Sequence, residues 1–159
     1  MSLAADVIKK MSDRSVTLAT CESITGGGIG AALTSVPGAS AVFRGALVTY
    51  ARDLKASLAG VDPELIRHEG VVNELTALQM ALGAQSQCQS DWAVATTGVA
   101  GPTEIDGASV GTVWFAVVGP RVGVSAAPQY TELKQFEGDR ERIRAAAIEH
   151  AFEMLLRVL

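Results

Sequence analysis

The segment Thr20-Cys21-Glu22-Ser23-Ile24-Thr25-Gly26-Gly27-Gly28 constrains this chain more than any other. A β-branched, apolar run, Val16-Thr17-Leu18-Ala19, leads into it, and a helix-like pattern from Ile29 to Val36 leaves it. Three glycines between a strand and a helix make a turn where bare backbone N–H groups and the positive end of a helix surround whatever sits there. The occupant is Ser23, flanked by Glu22 and Thr25. Such a turn holds a phosphate or stabilises the oxyanion formed when a serine attacks a carbonyl. Read alone, Ser23 serves as readily as a turn or N-cap serine.

The remaining pattern alternates strands with helices. An amphipathic helix is predicted over Leu3 to Ser12, with Leu3, Val7, Ile8 and Met11 on one stripe. The first strand is expected at about Val16–Cys21, with the helix after the turn running to Ser35, and a second strand over Phe43–Tyr50. A short helix spans Asp53–Ala59, and Asp62-Pro63-Glu64 opens another with a capping residue and a proline in place. Asn73 caps a long helix to about Gln87, whose apolar positions include Leu75, Leu78, Met80 and Leu82. Trp92–Thr97 and Thr112–Val118 are nearly continuous apolar strands, as in the interior of a covered sheet. A variable strand is expected over Gly123–Phe136, and a last helix begins at Gly138-Asp139. Together these predict one α/β domain across residues 1–159: a three-layer α/β/α sandwich on a central mixed, mostly parallel sheet.

Aromatic residues make up only 5% of a chain that is 48% hydrophobic, so Ala, Val, Leu and Ile must build the core. The net charge of −4 argues against nucleic acid bound on a general basic surface, though not against a small anion held by one or two arginines. Charged residues interrupt the N-terminal segment and no run reaches the ~20 apolar residues of a membrane span, so no signal peptide and no membrane partner are read. Cys21 and Cys88 are too few for a disulfide framework, and a cytoplasmic location with reduced thiols is expected. The cysteines and the two histidines lack ligand spacing, so no metal site and no cofactor are expected. An EDTA-sensitive activity restored by a divalent ion would overturn that reading.

The Thr20–Gly27 block resembles the Ala-Glu-Ser-Cys-Thr-Gly-Gly signature of the CinA C-terminal domain family, which includes stand-alone nicotinamide-nucleotide amidases. The resemblance continues through Val36-Pro37-Gly38-Ala39-Ser40, Phe43-Arg44-Gly45, Val48-Thr49-Tyr50 and Lys55. It resumes in Gly70–Glu74, Thr97–Pro102, Val110–Trp114 and Gly138-Asp139-Arg140, in the family's order over nearly the whole chain. It implies hydrolysis of the carboxamide of nicotinamide mononucleotide to nicotinate mononucleotide and ammonia, the partner being a small nucleotide substrate. Two departures stand out. Ile24 replaces a common cysteine and Cys21 a usual alanine, and the loop Thr103–Ser109 lacks the family's Lys-Pro ending. An acting cysteine after the serine would leave this chain inactive, whereas an acting serine makes Ile24 a packing variation.

A serine hydroxyl needs a base. His68 and His150 are both remote in sequence from any glycine turn, which favours Lys55, one helical turn past the second strand, as the resemblance also does. Its ammonium must lose a proton, which burial or a nearby cation would promote. Ser23, Lys55 and Tyr50 are therefore the catalytic candidates, with Tyr50 relaying or steadying the proton. An ordinary surface lysine and strand-end tyrosine remain the alternatives. The binding candidates are Glu22, Thr25, Gly26 and Gly27 in the first turn, Thr97, Gly98 and Gly101 beyond a buried strand, and Arg140 as a phosphate clamp. Glu22 also reads as a purely structural acceptor. Arg140, Arg142 and Arg144 also read as a solvated face paired with Glu137, Asp139 and Glu141. A catalytically silent nucleotide-binding module and an amidohydrolase of another carboxamide are the rival functions. The run Ala145-Ala146-Ala147 could pack within the fold or across a homo-oligomer.

Overall fold

The computed structural model describes residues 1–159. Helix α1 (Leu3–Asp13) starts at Ser2, whose hydroxyl accepts from the Ala5 N–H at 3.2 Å. Strand β1 (Leu18–Glu22), helix α2 (Gly28–Thr34), a single 3₁₀ turn at Ala39–Ala41 and strand β2 (Phe43–Val48) follow. Then come helices α3 (Arg52–Ser57), α4 (Pro63–Glu69) and α5 (Glu74–Cys88). Strands β3 (Trp92–Gly98), β4 (Thr112–Val118) and β5 (Gln129–Gln135) precede helix α6 (Arg140–Val158). No helix is long and apolar enough to cross a membrane.

One five-stranded mixed sheet has the order β2-β1-β3-β4-β5. Strand β1 runs parallel to both neighbours, whereas β4 is antiparallel to β3 and β5. The chain leaves β1 towards β2 on one side and leaves β3 towards β4 on the other. The crevice beyond the carboxyl ends of β1 and β3 is thus a topological switch point, where open α/β sheets bind ligands.

Alternation along the strands divides the core in two, as the three-layer reading requires. Leu18, Val94, Val113, Phe115 and Val117 face α1, α2 and α6, meeting Met11, Ile29, Leu33 and Leu155 among others. Ala19, Cys21, Ala93, Ala95 and Ala116 face α5, whose buried positions are Thr76, Ala77, Met80, Ala81 and Ala84. Of the apolar positions expected on α5, Met80 is buried in this layer, and Leu78 and Leu82 pack partly buried against it. Leu75 is exposed, and small side chains meet the sheet because the helix lies close to it. Elsewhere on α5, Gly83 meets the turn after α3, where a Cβ would sit 1.8 Å from the Ala59 carbonyl oxygen. Gly→Ala inside a helix ordinarily stabilises by about 1 kcal/mol. Here Gly83→Ala is expected to lower stability by about 3 kcal/mol, because a backbone carbonyl cannot move aside cheaply. The urea midpoint reads this, and a variant as stable as wild type would mean that α5 does not touch the Ala59 turn.

A correction concerns β5. It begins only at Gln129, after Pro128, and residues 119–128 form no strand. Proline cannot donate to a ladder, and glycine at 119 and 123 favours turns, so the pairing with β4 starts once both are passed.

Candidate active site

Ser23 is the first residue after β1, and its N–H continues the ladder by donating to the Thr96 carbonyl at 3.1 Å. The chain then turns sharply. Gly26 N–H donates to the Ser23 carbonyl at 3.0 Å and Gly28 N–H to that of Thr25 at 2.9 Å. Gly26 and Gly27 have φ of +58° and +95°, a left-handed conformation that side chains with a Cβ rarely adopt. This turn is held from three directions. The buried Glu22 carboxylate accepts from Ile29 N–H at 2.8 Å, Gly30 N–H at 3.0 Å and the Thr20 hydroxyl at 2.9 Å, so it anchors the start of α2. The Thr25 and Thr96 hydroxyls bond to each other at 2.8 Å. Arg144, from α6, donates to the carbonyls of Ile24 and Thr25, both at 3.1 Å.

Lys55 arrives from the other side of β1. The parallel register pairs Glu22 with Val48, and Thr49 N–H donates to the Glu22 carbonyl at 3.0 Å, so the turn after β2 lies beside Ser23. Helix α3 starts there and directs Lys55 inward. Its side chain is only 1% exposed and bonds no carboxylate. Nζ lies 2.9 Å from Ser23 Oγ, 2.7 Å from the Thr49 carbonyl and 3.5 Å from the Tyr50 carbonyl. Burial pulls the ammonium down from its ordinary 10.5 to about 8; the neighbouring Cys21 opposes this and the charge of Arg52 reinforces it. A neutral amine has two N–H groups, enough for the two carbonyls, and one lone pair, so this arrangement can accept the Ser23 proton. Burial drives the Cys21 thiol the opposite way, up to about 12, with the Thr49 hydroxyl bond working against it, and it bonds that hydroxyl at 3.6 Å. The thiol stays protonated at neutral pH.

Ser23 and Lys55 open into a cavity of about 340 Å³, within the range of small-molecule sites. Tyr50, Thr97, Gly98, Gly101 and Arg140 line it as well, so seven of the eleven sequence candidates converge. Glu22, Thr25, Gly26 and Gly27 do not line it, and they shape the Ser23 turn from behind. The Gly26 N–H is spent on the Ser23 carbonyl and is not the free donor expected. The N–H groups of Ile24, Thr25 and Gly27 carry no intramolecular bond. Tyr50 also departs from expectation, since its hydroxyl accepts from Arg140 at 2.8 Å and bonds neither Ser23 nor Lys55. Arg140 additionally donates to the Gly101 carbonyl at 2.6 Å, and the Thr97 hydroxyl is given to the Val71 carbonyl at 2.6 Å. The three α6 arginines form no ion pair with Glu137, Asp139 or Glu141, because Arg140 and Arg144 turn back onto the strand ends. Their spacing of four residues placed both on one helical face, a readable signal for Arg144. Arg52, Val71 and Ile105 also line the cavity, with Ile24, Ala100 and Thr103. His68 is exposed, and His150 is buried between Glu132 and Glu153; neither reaches the cavity.

The model of the CinA C-terminal domain matches residues 1–159. A CinA-like protein of Frankia casuarinae is 44% identical over 158 residues, covering 99% of this chain and 35% of that protein. The chain thus spans about a third of the length of that longer relative. Nicotinamide-nucleotide amidohydrolase PncC of Escherichia coli K12 is 36% identical over 159 residues, covering 98% of this chain and 92% of that enzyme. Among solved structures, an E. coli protein of the competence-damaged protein (CinA) superfamily superposes with a TM-score of 0.92 at 30% identity, covering 99% of this chain and 88% of that one. The competence/damage inducible protein CihA of Agrobacterium tumefaciens gives 0.88 at 35% identity, covering 98% and 93%.

Proposed function

Because the chain belongs to the CinA C-terminal domain family, we propose that it is a nicotinamide-nucleotide amidase that works through Ser23 and Lys55. The observation that carries this is the buried Lys55 amine 2.9 Å from Ser23 Oγ, with two carbonyls occupying its N–H groups. The 36% identity to the E. coli enzyme of that name over nearly both chains supports the substrate class.

In the proposed reaction, neutral Lys55 accepts the Ser23 proton as Oγ bonds to the carboxamide carbon. The tetrahedral oxyanion is met by the unbonded N–H of Ile24, which follows Ser23 at the cavity wall. Lys55 then returns the proton to the departing nitrogen, the C–N bond breaks, and ammonia leaves a nicotinyl ester on Ser23. Water attacks that ester while Lys55 takes its proton, the ester C–O bond breaks, and Ser23 Oγ recovers a proton as the carboxylate is released. Arg140, at the cavity mouth, keeps N–H groups beyond its two present bonds for the 5′-phosphate. Ile24 and Val71 offer the pyridine ring apolar contact.

Ammonia release from nicotinamide mononucleotide by the purified protein tests the reading. Release from another carboxamide only would retain the chemistry and replace the substrate. Calorimetric binding without ammonia would favour the silent module. Since the amine must be neutral, kcat/KM is expected to rise with pH through a limb near 8, the value to which Lys55 is lowered. A profile flat between about pH 6 and pH 9 would remove Lys55 as the base.

A further inference from the structure

The loop Thr103–Ser109 is anchored. Ile105 and Ala108 pair with each other, so Asp106 (φ +51°) and Gly107 (φ +78°) form a two-residue hairpin turn. The Asp106 carboxylate accepts from Arg52 Nη2 at 2.5 and 2.6 Å, and its Oδ2 accepts from the Val71 N–H at 3.0 Å. Arg52 Nη1 reaches the Ile66 carbonyl at 3.4 Å. The hairpin, the first residue of α3 and the segment before α5 therefore meet at one point. Arg52, Val71 and Ile105 all line the cavity that holds Ser23 and Lys55.

Arg52 precedes Lys55 by three residues in α3, so both side chains lie on one face of a single helical turn. The surroundings of Lys55 hold few other charges. From β1 come the protonated Cys21 thiol and, just beyond the strand, the Ser23 hydroxyl; after β2 come the carbonyls of Thr49 and Tyr50. Glu22 points to the opposite face of β1 and bonds α2, while Asp53 is exposed. Arg140 of α6 reaches the cavity but is held by Gly101 and Tyr50.

We propose that the Arg52–Asp106 pair is a positioning element for the Ser23–Lys55 step: Asp106 holds Arg52 one helical turn from Lys55, the guanidinium favours the neutral amine, and the carboxylate moderates that charge. The inference rests on the amidase reading and adds two residues to it.

Opposite signs make it testable. In pH profiles of kcat/KM, Arg52→Gln is expected to move the acid limb up by about half a pH unit, because a cation near Lys55 is lost. Asp106→Asn moves it down, because the Asn amide oxygen still accepts from Arg52 and holds it in place while the guanidinium charge is no longer offset, and Arg52→Lys leaves it near the wild-type position. Limbs that stay fixed in both neutralising variants, or move together, would reduce the pair to a clamp on the hairpin. If Arg52→Gln does not fold, Asp106→Asn and Arg52→Lys carry the comparison. NMR titration of the Lys55 ε-methylene in substrate-free protein reads the same shifts without turnover. A wild type that hydrolyses no nucleotide amide sinks the amidase reading alone, whereas a Lys55 midpoint indifferent to Arg52 and Asp106 sinks this inference.

Discussion

Ser23→Ala is expected to release ammonia from nicotinamide mononucleotide about 10⁴-fold more slowly than wild type, or not at all, while folding normally. The size of the loss follows from the covalent role, since without Oγ no ester forms and water must attack an unactivated amide. The intact fold follows from what the side chain does not do. Ser23 Oγ bonds only Lys55, whereas the bonds that build the turn use the Ser23 backbone, its N–H to Thr96 and its carbonyl to Gly26. A change in stability within about 1 kcal/mol is expected, the worth of one net hydrogen bond. Ammonia release near the wild-type rate in a well-folded Ser23→Ala protein would end the serine assignment. Cys21 would not be the substitute nucleophile, because its thiol is buried against α5, bonded to Thr49 and pushed up to about 12.

How much of this site was legible depended on whether a feature is written locally. The Gly26-Gly27-Gly28 turn after an apolar strand was readable because left-handed backbone demands glycine wherever the chain is going. Lys55 was readable because it sits in the first turn of the short helix after β2, and a parallel β1–β2 pair brings the two strand ends together although the residues lie 32 apart. What a polar group spends its hydrogen bonds on was not legible. Glu22, Thr97 and Tyr50 differ little in type from substrate contacts, yet their polar atoms bond the α2 amides, the Val71 carbonyl and Arg140. Those partners lie on other elements, and sequence spacing does not encode them. The Asp106-Gly107 pair was a hairpin signal within the residues themselves. Its bond to Arg52 was not, for the same nonlocal reason. Packing followed the same division. The low aromatic content correctly pointed to an aliphatic core, but the alanine face of α5 depends on how near the sheet lies, which only the assembled layers decide.

Lys55→Met is expected to lose activity and gain stability together, a combination that an ordinary structural residue would not produce. Removing a general base costs about 10³-fold in kcat/KM, and the linear Met side chain fills much of the same space. The stability gain comes from proton linkage. An unfolded lysine keeps its proton to about 10.5, but buried Lys55 keeps it only to about 8. Below the lower value both states are protonated, and the native state bears the whole cost of burying the ammonium, about 3 kcal/mol. Between the two values the unfolded chain holds a proton that the native protein has released, so wild-type stability rises with pH and the cost disappears. Met carries no such cost but leaves the Thr49 carbonyl without its donor, which returns about 1–2 kcal/mol. The net expectation near neutral pH is a variant more stable by about 1–2 kcal/mol, with an advantage that declines above pH 8. Urea unfolding of both proteins across that range measures the difference directly. A difference that does not change between pH 8 and 10.5 would mean that Lys55 does not titrate there. It would then be no base, whatever its distance from Ser23.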